Sequence, residues 1–525
     1  MTDDQHPVIG DWYVDTELKE AQVTYRFLIR STFNKENWIL EQRESLRRSR
    51  EAKGGEVDEA QVWQRVDFPI GEYRHMIYGG GQPSNECEAY WLRMLCVEIL
   101  DALRDAEREL TGGGDQRLLY RVLRQRSDTR YADLKERLLD LEEAIRSNAA
   151  LSGIKDDVAK LLERVSLMTA GEDHSIDFHF SAPDATEMLK KIGMIYGANP
   201  ITVARNGLGR NNLLYVALVL SQLAKATDPF PSNEDFVCFR FVGIEEPEAH
   251  LHPHLQDHLA NNIEEIRKEY SDSLQLLLTS HSTHIAAKLR LENTAVLFRD
   301  EQTGKIASLY VLDGIDPIKE RDSIRFLSLY LDATKSRMFF ARLLILVEGI
   351  AEQSIVPVLF EQFAAKTLES IGCSVLNVNG VAFRHFLMVV RNGFFKRCVV
   401  LTDQDTGTKA ENRADALKLE FEDGNLVQVH VTNTSTFEKD LIAANRSGLG
   451  KELLFDALTA TKPLKGPRLR QATGSDLIDV EAFFEEIKSY KAEFSFNLVE
   501  HLQQRPGQLI VPTYIAKAFA FIAGG

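Results

Sequence analysis

The spacing of hydrophobic positions predicts two kinds of segment in the first third of the chain. Val23, Tyr25, Phe27 and Ile29 alternate with other residues, which predicts a half-buried strand. Between about residues 90 and 168, apolar residues recur every three or four positions, as on one face of a helix. We expect a helical, coiled-coil-like arm inserted there into an α/β domain, although a small bundle that serves only packing fits equally well. The stripes are Leu92, Leu95, Ile99 and Leu103; Leu134, Leu138, Leu141 and Ile145; and Ile154, Val158, Leu161 and Val165.

An alternation of strands and helices follows Gly171. A glycine-rich turn leads into a helix over Asn212–Leu223, and apolar strands are predicted over Val237–Ile244 and Leu274–Leu278, with a helix between them. This β-α-β order builds parallel sheets. The pattern therefore predicts a first α/β domain, which we place at residues 1–337.

A second series of the same kind begins at Leu343. Strands are predicted over Leu343–Val347, Ser374–Gly380, Cys398–Asp405 and Val427–Val431, and helices are predicted between the first three. We place this second α/β domain, with its own parallel sheet, at residues 338–525.

Composition narrows the class of protein. The chain has 525 residues, of which 44% are hydrophobic and 27% charged, which excludes collagen-like, disordered and disulfide-scaffold proteins. No apolar stretch has the length of a membrane span, and the N-terminus lacks the pattern of a signal peptide. The five cysteines lack metal-like spacing, so we expect buried thiols. These features predict a cytoplasmic protein without a membrane partner.

The net charge is −16, from 62 basic and 78 acidic residues. An acidic surface repels phosphate backbones, so contact with a nucleic acid would require local basic patches and metal ions. The charge weakens the case for nucleic-acid binding without excluding it.

A first group of chemically interesting residues follows the strands of the first domain. Glu245 and Glu246 come directly after a buried strand, and His281 follows the neighbouring one. Ligands of open parallel sheets bind at this edge, where one carboxylate can hold Mg²⁺ and the next can orient an attacking water. Gly207 and Gly209 precede or open a helix, where backbone N–H groups can receive a phosphate. The alternatives are an acidic turn for the two glutamates, a helix-capping role for the histidine and a plain turn for the two glycines.

A second group consists of carboxylates at the predicted strand ends of the second domain. Five of them would repel one another strongly unless hard cations neutralise them. Two Mg²⁺ or Mn²⁺ ions held there could activate water at a phosphodiester. Solvated turns, or a phosphatase-like or regulatory metal site, are alternatives, although no nucleophile motif accompanies the carboxylates. The residues are Glu348, Glu352, Asp403, Asp405 and Glu438.

The first domain resembles the ABC/SMC-like ATPase head. The resemblance assigns Glu245 to the Walker B magnesium position, Glu246 to the catalytic glutamate and His281 to the switch histidine. Gly207 and Gly209 fall in the segment that matches the signature motif, which is the loosest match. No G-x-x-x-x-G-K-[S/T] sequence occurs, so the main phosphate cradle is missing and ATP hydrolysis is doubtful, although ATP binding is possible. We expect the chain to lack the N-terminal portion of the head.

The second domain resembles the Toprim domain, and the order of the two domains resembles the OLD (overcoming-lysogenisation-defect) nuclease family. The resemblance is carried by EEPEAHLHP, TSHS, LVEGIAE, TDQD and TFEKDL. It implies that the five carboxylates are metal ligands and that Lys491 lies near the scissile phosphate, although an isolated lysine of this kind is more often a surface residue. Gly380 is expected to be structural.

The family resemblance implies a DNA endonuclease or nickase that uses Mg²⁺ or Mn²⁺. It also implies a homodimer or higher oligomer, with a helicase as a possible partner and a role in phage defence or DNA processing. Two rival functions remain at this point: a non-nucleolytic ATPase of DNA repair or chromosome maintenance, and a degenerate nucleotide sensor that partners a helicase.

Overall fold

The computed structural model divides the chain into two units. Unit 1 comprises Met1–His250 and Glu265–Thr279, and unit 2 comprises Leu251–Glu264 and Ser280–Gly525. The predicted domain limits at residues 337 and 338 stay a prediction. The structure describes residues 9–52, 66–82, 84–88, 91–92, 94–102, 109–110, 118–124, 185–196, 201–205, 207–225, 239–269, 274–300, 303–380, 382–405 and 412–524, together with positions 133, 136, 137, 140, 141 and 144.

Unit 1 is mixed α/β. One helix, α5, begins in unit 2 and ends in unit 1. The elements are β1 (Val23–Ile29), α1 (Lys35–Ala52), β2 (Tyr73–Gly79), β3 (Leu95–Leu100), α2 (Leu118–Arg124), α3 (Ala185–Lys191), β4 (Ile195–Tyr196), β5 (Ile201–Thr202), α4 (Leu208–Lys225), β6 (Phe239–Glu245), α5 (Pro253–Glu269) and β7 (Leu274–Thr279).

The central sheet of unit 1 has three parallel strands in the order β3-β6-β7. Val242 and Ile244 alternate along β6 and are buried together with Val216 and Val219 of α4. On β3, by contrast, Ile99 is exposed. The predicted strands and the predicted helix of this region are confirmed.

One predicted helix is wrong. The stripe that begins at Leu92 was expected to be helical, but Leu95–Leu100 forms β3 and pairs in parallel with β6. The run LCVEIL places apolar residues on both faces of a strand, with Glu98 as the one charged position, and such a run also matches helical spacing. Positions 133 to 144 that the structure describes are helical, while the stripe from Ile154 to Val165 lies outside the described residues.

The predicted first strand is confirmed as β1, which pairs with β2 in antiparallel fashion. The expectation that it is half-buried is wrong, because Tyr25 and Phe27 are both exposed. Their rings stack instead on His75 and Tyr73 of β2. Cross-strand ring pairs of this kind stabilise a two-stranded ribbon without covering it.

Unit 2 is also α/β. Its elements are α6 (Thr283–Ala286), β8 (Ala295–Arg299), β9 (Ile306–Tyr310), α7 (Arg321–Tyr330), β10 (Leu343–Val347), α8 (Ile350–Ala364), β11 (Cys373–Asn377), α9 (Phe383–Val390), β12 (Arg397–Thr402), α10 (Arg413–Phe421), β13 (Val427–Val431), α11 (Phe437–Ala444), α12 (Gly448–Thr461), α13 (Lys465–Thr473), α14 (Val480–Ile487), α15 (Lys491–Gln504) and α16 (Thr513–Ala523). Four of the strands form a parallel sheet in the order β11-β10-β12-β13. Each predicted strand of the second domain is confirmed.

Apolar layers cover both faces of this sheet. Ile345 and Val399 point into one layer, formed with α8, α11, α12, α15 and α16, while Leu344 and Val400 point into the other, formed with α7, α9 and α10. Because strands buried on both faces must be apolar throughout, β10 and β12 appear in the sequence as continuous hydrophobic runs. Polar side chains are thereby confined to the strand ends.

Two further expectations concern the whole chain. Cys87, Cys373 and Cys398 are buried free thiols. Within the part of the chain that the structure describes, no helix combines the length and apolar character needed to cross a membrane.

Candidate metal centre and nucleotide edge

Glu348 follows β10 and lies beside the end of the neighbouring strand β12. Its Oε1 accepts a hydrogen bond from the backbone N–H of Asp403, at 2.8 Å, and another from the hydroxyl of Thr402. The next residue, Gly349, permits a close approach, because a Cβ there would lie 3.1 Å from Oε2 of Glu352. The strand order therefore brings Glu348, Glu352 and Asp403 to one edge of the sheet.

Asp403 is held by the start of α11. Its Oδ1 accepts the backbone N–H of Phe437 at 2.8 Å, which satisfies one free donor at the helix N-terminus. Glu438 is the next residue and is 4% exposed. Its Oε2 lies 2.7 Å from Nζ of Lys491, which opens α15. The predicted lysine is thus placed beside a predicted ligand.

The carboxylates raise one another's pKa. Burial, together with the negative charges of Glu348, Glu352 and Glu438, raises the pKa of Asp403 to about 8. Burial, together with the charges of Glu438 and Glu348, raises the pKa of Glu352 to about 7. The pKa of Glu348 is also raised, chiefly by burial. Shifts of this sign arise where burial and neighbouring like charges oppose ionisation more than hydrogen bonds and positive groups favour it.

Arg413 is a member of this group that the sequence did not reveal. Its Nη2 contacts Oε1 of Glu348 and lies 2.8 Å from Oδ2 of Asp405. The only signal in the sequence was a basic residue at the start of the helix after Asp403 and Asp405, in a polar segment that resembles any solvated helix start. Its approach to the carboxylates depends on the three-dimensional path of the chain.

A second missed residue is Asp440, which shapes the segment before α11. Its carboxylate accepts the backbone N–H groups of Asn433 at 2.6 Å and Thr434 at 2.8 Å. It is 4% exposed. The side chain of Thr436 caps the start of α11. Together, this cap and the two hydrogen bonds of Asp440 fix the turn that presents Phe437 and Glu438 to the site.

The donor set fits hard divalent cations. Carboxylate oxygens are what Mg²⁺ and Mn²⁺ prefer, and burial together with neighbouring carboxylates raises the pKa values of Glu352 and Asp403, so their ionised forms need a positive partner. Among the residues that the structure describes, no three acidic, histidine or cysteine side chains already form a metal-holding group. Arg413 and Lys491 are instead the positive partners of Glu348, Asp405 and Glu438.

The nucleotide edge of unit 1 has a different geometry. Glu245 ends β6 and is exposed, and Glu246 adopts a left-handed conformation with a φ of 42°. The backbone N–H of Glu246 donates to the carbonyl of Thr279 at 2.9 Å. Gly207 precedes α4, and Gly209 lies in its first turn. The predicted proximity of Glu246 and His281 stays a prediction, because the two residues belong to different units.

A buried asparagine connects the start of α4 to the acidic turn. The side-chain amide of Asn212 donates to the carbonyl of Ala249 at 3.1 Å and lies 3.5 Å from that of Pro247. The turn after Glu246 is therefore held against the segment that resembles a signature motif.

Two family models match parts of this chain. Residues 97–286 match the AAA ATPase domain, and residues 339–405 match the Toprim domain of overcoming-lysogenization-defect-like proteins. The chain therefore carries an AAA ATPase domain and a Toprim domain of the OLD-like type. Its Toprim match includes Glu348, Glu352, Asp403 and Asp405 and ends at the last of them.

Curated relatives of this chain include two nucleases. Endonuclease GajA of Bacillus cereus (strain HuB5-5) is 27% identical over 193 residues, which are 33% of this chain and 27% of that protein. Old nuclease of Escherichia phage P2 is 22% identical over 242 residues, which are 44% of this chain and 40% of that protein. The matches thus span less than half the length of either relative.

Among solved structures, the C-terminal region of the Xanthomonas campestris pv. campestris OLD protein is 25% identical to this chain. The match covers 36% of this chain and 95% of that one, with a TM-score of 0.28.

Proposed function

We propose that this protein is a DNA endonuclease or nickase that depends on Mg²⁺ or Mn²⁺ and hydrolyses phosphodiesters at the Toprim sheet edge. The observation that supports this most is the contact between Glu348 and Asp403 beside the buried Glu352 and Glu438. The nuclease names of the two curated relatives support DNA as the substrate. The ATPase head would regulate the reaction.

In this proposal Glu348, Glu352, Asp403, Asp405 and Glu438 would hold two divalent ions. Such ions lower the pKa of bound water and stabilise the leaving oxygen. Lys491 would stabilise the charge that develops on the phosphate, because its ammonium already lies at the edge of the carboxylate group. Asp440 would act only by position, since it holds the turn before Phe437.

Several finer expectations belong to the same proposal. ATP binding at Glu245, Glu246, Gly207, Gly209 and His281 would control cleavage, and a homodimer or higher oligomer would be the active form. A helicase partner, a cytoplasmic location and a role in phage defence or DNA processing complete it.

A supercoiled plasmid tests the proposed activity. The purified protein should nick or linearise the plasmid with Mg²⁺ or Mn²⁺ and should fail to do so with a chelator. Glu348→Ala and Asp403→Ala should each lower the rate at least about 100-fold, because each removes a ligand of the ions.

The matched control is Glu369→Ala, which removes an exposed carboxylate of the same unit. It should cut at the wild-type rate. If the wild-type protein cuts no DNA with either metal, with or without ATP, the nuclease proposal fails and the non-nucleolytic ATPase becomes the better reading.

A further inference from the structure

The guanidinium of Arg413 lies between two carboxylates that the proposed function assigns to metal ions. The Arg413 side chain is 15% exposed, Glu348 is 16% exposed and Asp405 is 25% exposed. The positive charge is therefore largely withdrawn from water and faces the same oxygens that divalent ions would use.

The way in which Arg413 holds the pair is unusual for an arginine. Its Nη2 contacts Glu348, lies 2.8 Å from Oδ2 of Asp405 and lies 3.0 Å from the hydroxyl of Thr402. One nitrogen with two hydrogens thus faces three acceptor oxygens. Arginine binds carboxylates most strongly through two parallel hydrogen bonds, which this arrangement does not use.

A second feature weakens this hold. The Nε of Arg413 is buried and has no hydrogen-bond partner within the described part of the protein. A buried donor without a partner has lost its hydrogen bonds to water and gained none in exchange, which is unfavourable. Release of Arg413 from the two carboxylates would recover part of that cost, since water or another acceptor could then reach Nε.

Charge also favours exchange for a divalent ion. Arg413 supplies one positive charge to two carboxylates, and a divalent ion supplies two. We propose that Arg413 is a displaceable counter-ion, which joins Glu348 to Asp405 in the metal-free protein and competes with divalent ions for these carboxylates. This inference rests on the proposed metal-dependent function and adds a residue that sets the metal affinity.

The experiment compares Mn²⁺ binding by isothermal titration calorimetry in the wild-type chain and Arg413→Gln. Loss of the competing charge should lower the Kd for Mn²⁺ about five- to twentyfold. Arg413→Lys, which keeps the charge but lacks the planar donor group, should give a smaller change. If Arg413 is instead a brace that preorganises the ligands, Arg413→Gln will bind Mn²⁺ more weakly than wild type or equally well, and the inference fails.

The matched control is Arg384→Gln. Arg384 also joins two carboxylates of unit 2, since its Nη1 lies 2.8 Å from Glu320 and its Nη2 lies 3.0 Å from Glu420. Loss of this arginine should leave the Mn²⁺ affinity unchanged. An equal rise in affinity in Arg384→Gln would show a general effect of net charge and would overturn the specific role of Arg413.

A measurement on the wild-type chain keeps the inference testable if Arg413→Gln does not fold. Mn²⁺ should increase amide hydrogen exchange in the first turn of α10, because Arg413 opens that helix and would lose its anchor. Decreased or unchanged exchange there would overturn the inference. If the wild-type protein cuts DNA but these results are contrary, only the inference fails; if it neither binds Mn²⁺ nor cuts, both proposals fail.

Discussion

The two parallel sheets present their carboxylates in different surroundings. In unit 2, Glu352 is 7% exposed and Glu438 is 4% exposed, whereas Glu245 at the edge of unit 1 is exposed. The neighbouring strands differ in the same way: β12 is buried from Cys398 to its end at Thr402, while β7, which pairs with the strand that ends at Glu245, alternates in burial and ends at the exposed Thr279. A sheet covered on both faces can hold charge away from water, where electrostatic interactions are strong. The chemistry of unit 2 is therefore set largely by its own fold.

One backbone feature is shared by the two edges. Glu246 has a φ of 42° and Asp405 a φ of 50°, both in the left-handed region that residues other than glycine seldom adopt. Backbone strain of this kind persists where the surrounding structure enforces it and clusters at functional sites. The two edges thus differ in burial but both orient a carboxylate by an unfavourable backbone conformation.

The largest predicted effect tests whether the sheet edge of unit 2 carries the cleavage chemistry, and it concerns Lys491. Lys491→Ala should slow plasmid cleavage about 100-fold, because it removes the ammonium beside Glu438. Lys491→Arg should restore part of the rate. The measurement is single-turnover cleavage over a range of DNA concentrations, and the loss should appear in the maximal rate rather than in the DNA affinity.

Lys439→Ala is the control for this prediction. The ammonium groups of Lys439 and Lys491 lie 4.8 and 5.4 Å from the centre of the same Phe484 ring, but Lys439 pairs with the exposed Glu481. Its loss should leave cleavage nearly unchanged. Equal losses in the two variants would show that packing around Phe484, and not the charge at Glu438, controls the rate.

A smaller predicted effect concerns Asp403 and the dependence of the free energy of unfolding on pH. Asp403 has a pKa of about 8 in the folded protein, against a normal value of 3.8, so the folded state binds its proton more tightly. The metal-free protein should therefore be most stable near or below pH 4 with respect to this group, and should lose that stability as the pH rises towards 8. Asp403→Asn removes the charge, and its amide oxygen can still accept the N–H of Phe437.

Asp403→Asn should therefore raise the free energy of unfolding by about 1–3 kcal/mol at pH 8, and by much less at pH 5. Thermal melts in chelator at both pH values measure this, and Mg²⁺ should narrow the gap by stabilising the wild-type protein. Asp313→Asn, which changes an exposed carboxyl of unit 2, should show no such pH dependence. An equal gap at both pH values would contradict the assignment to Asp403.

The sequence predicted the ligand positions of unit 2 better than their partners. Glu348 and Asp403 were predictable, since a buried strand must be apolar until it ends, and parallel strands end at one edge. The roles of Arg413 and Asp440 could not be predicted, because each depends on a side-chain contact with a different segment of the chain. In unit 1, β3 was mistaken for a helix, because an apolar run without alternation fits both periods.

The smallest effect tests whether the edge of unit 1 is held by its own packing. Asn212→Ala removes the donor to the carbonyls of Ala249 and Pro247, at a cost of about 1 kcal/mol. Amide exchange after Glu246 should rise about fivefold.

The control is Asn211→Ala, because Asn211 is also buried in α4 but donates its side-chain hydrogen bond to the carbonyl of Val203. Its loss should raise amide exchange near Val203 instead. If both variants loosen the acidic turn alike, α4 supports it as a whole, and the edge of unit 1 depends on helix packing as the edge of unit 2 does.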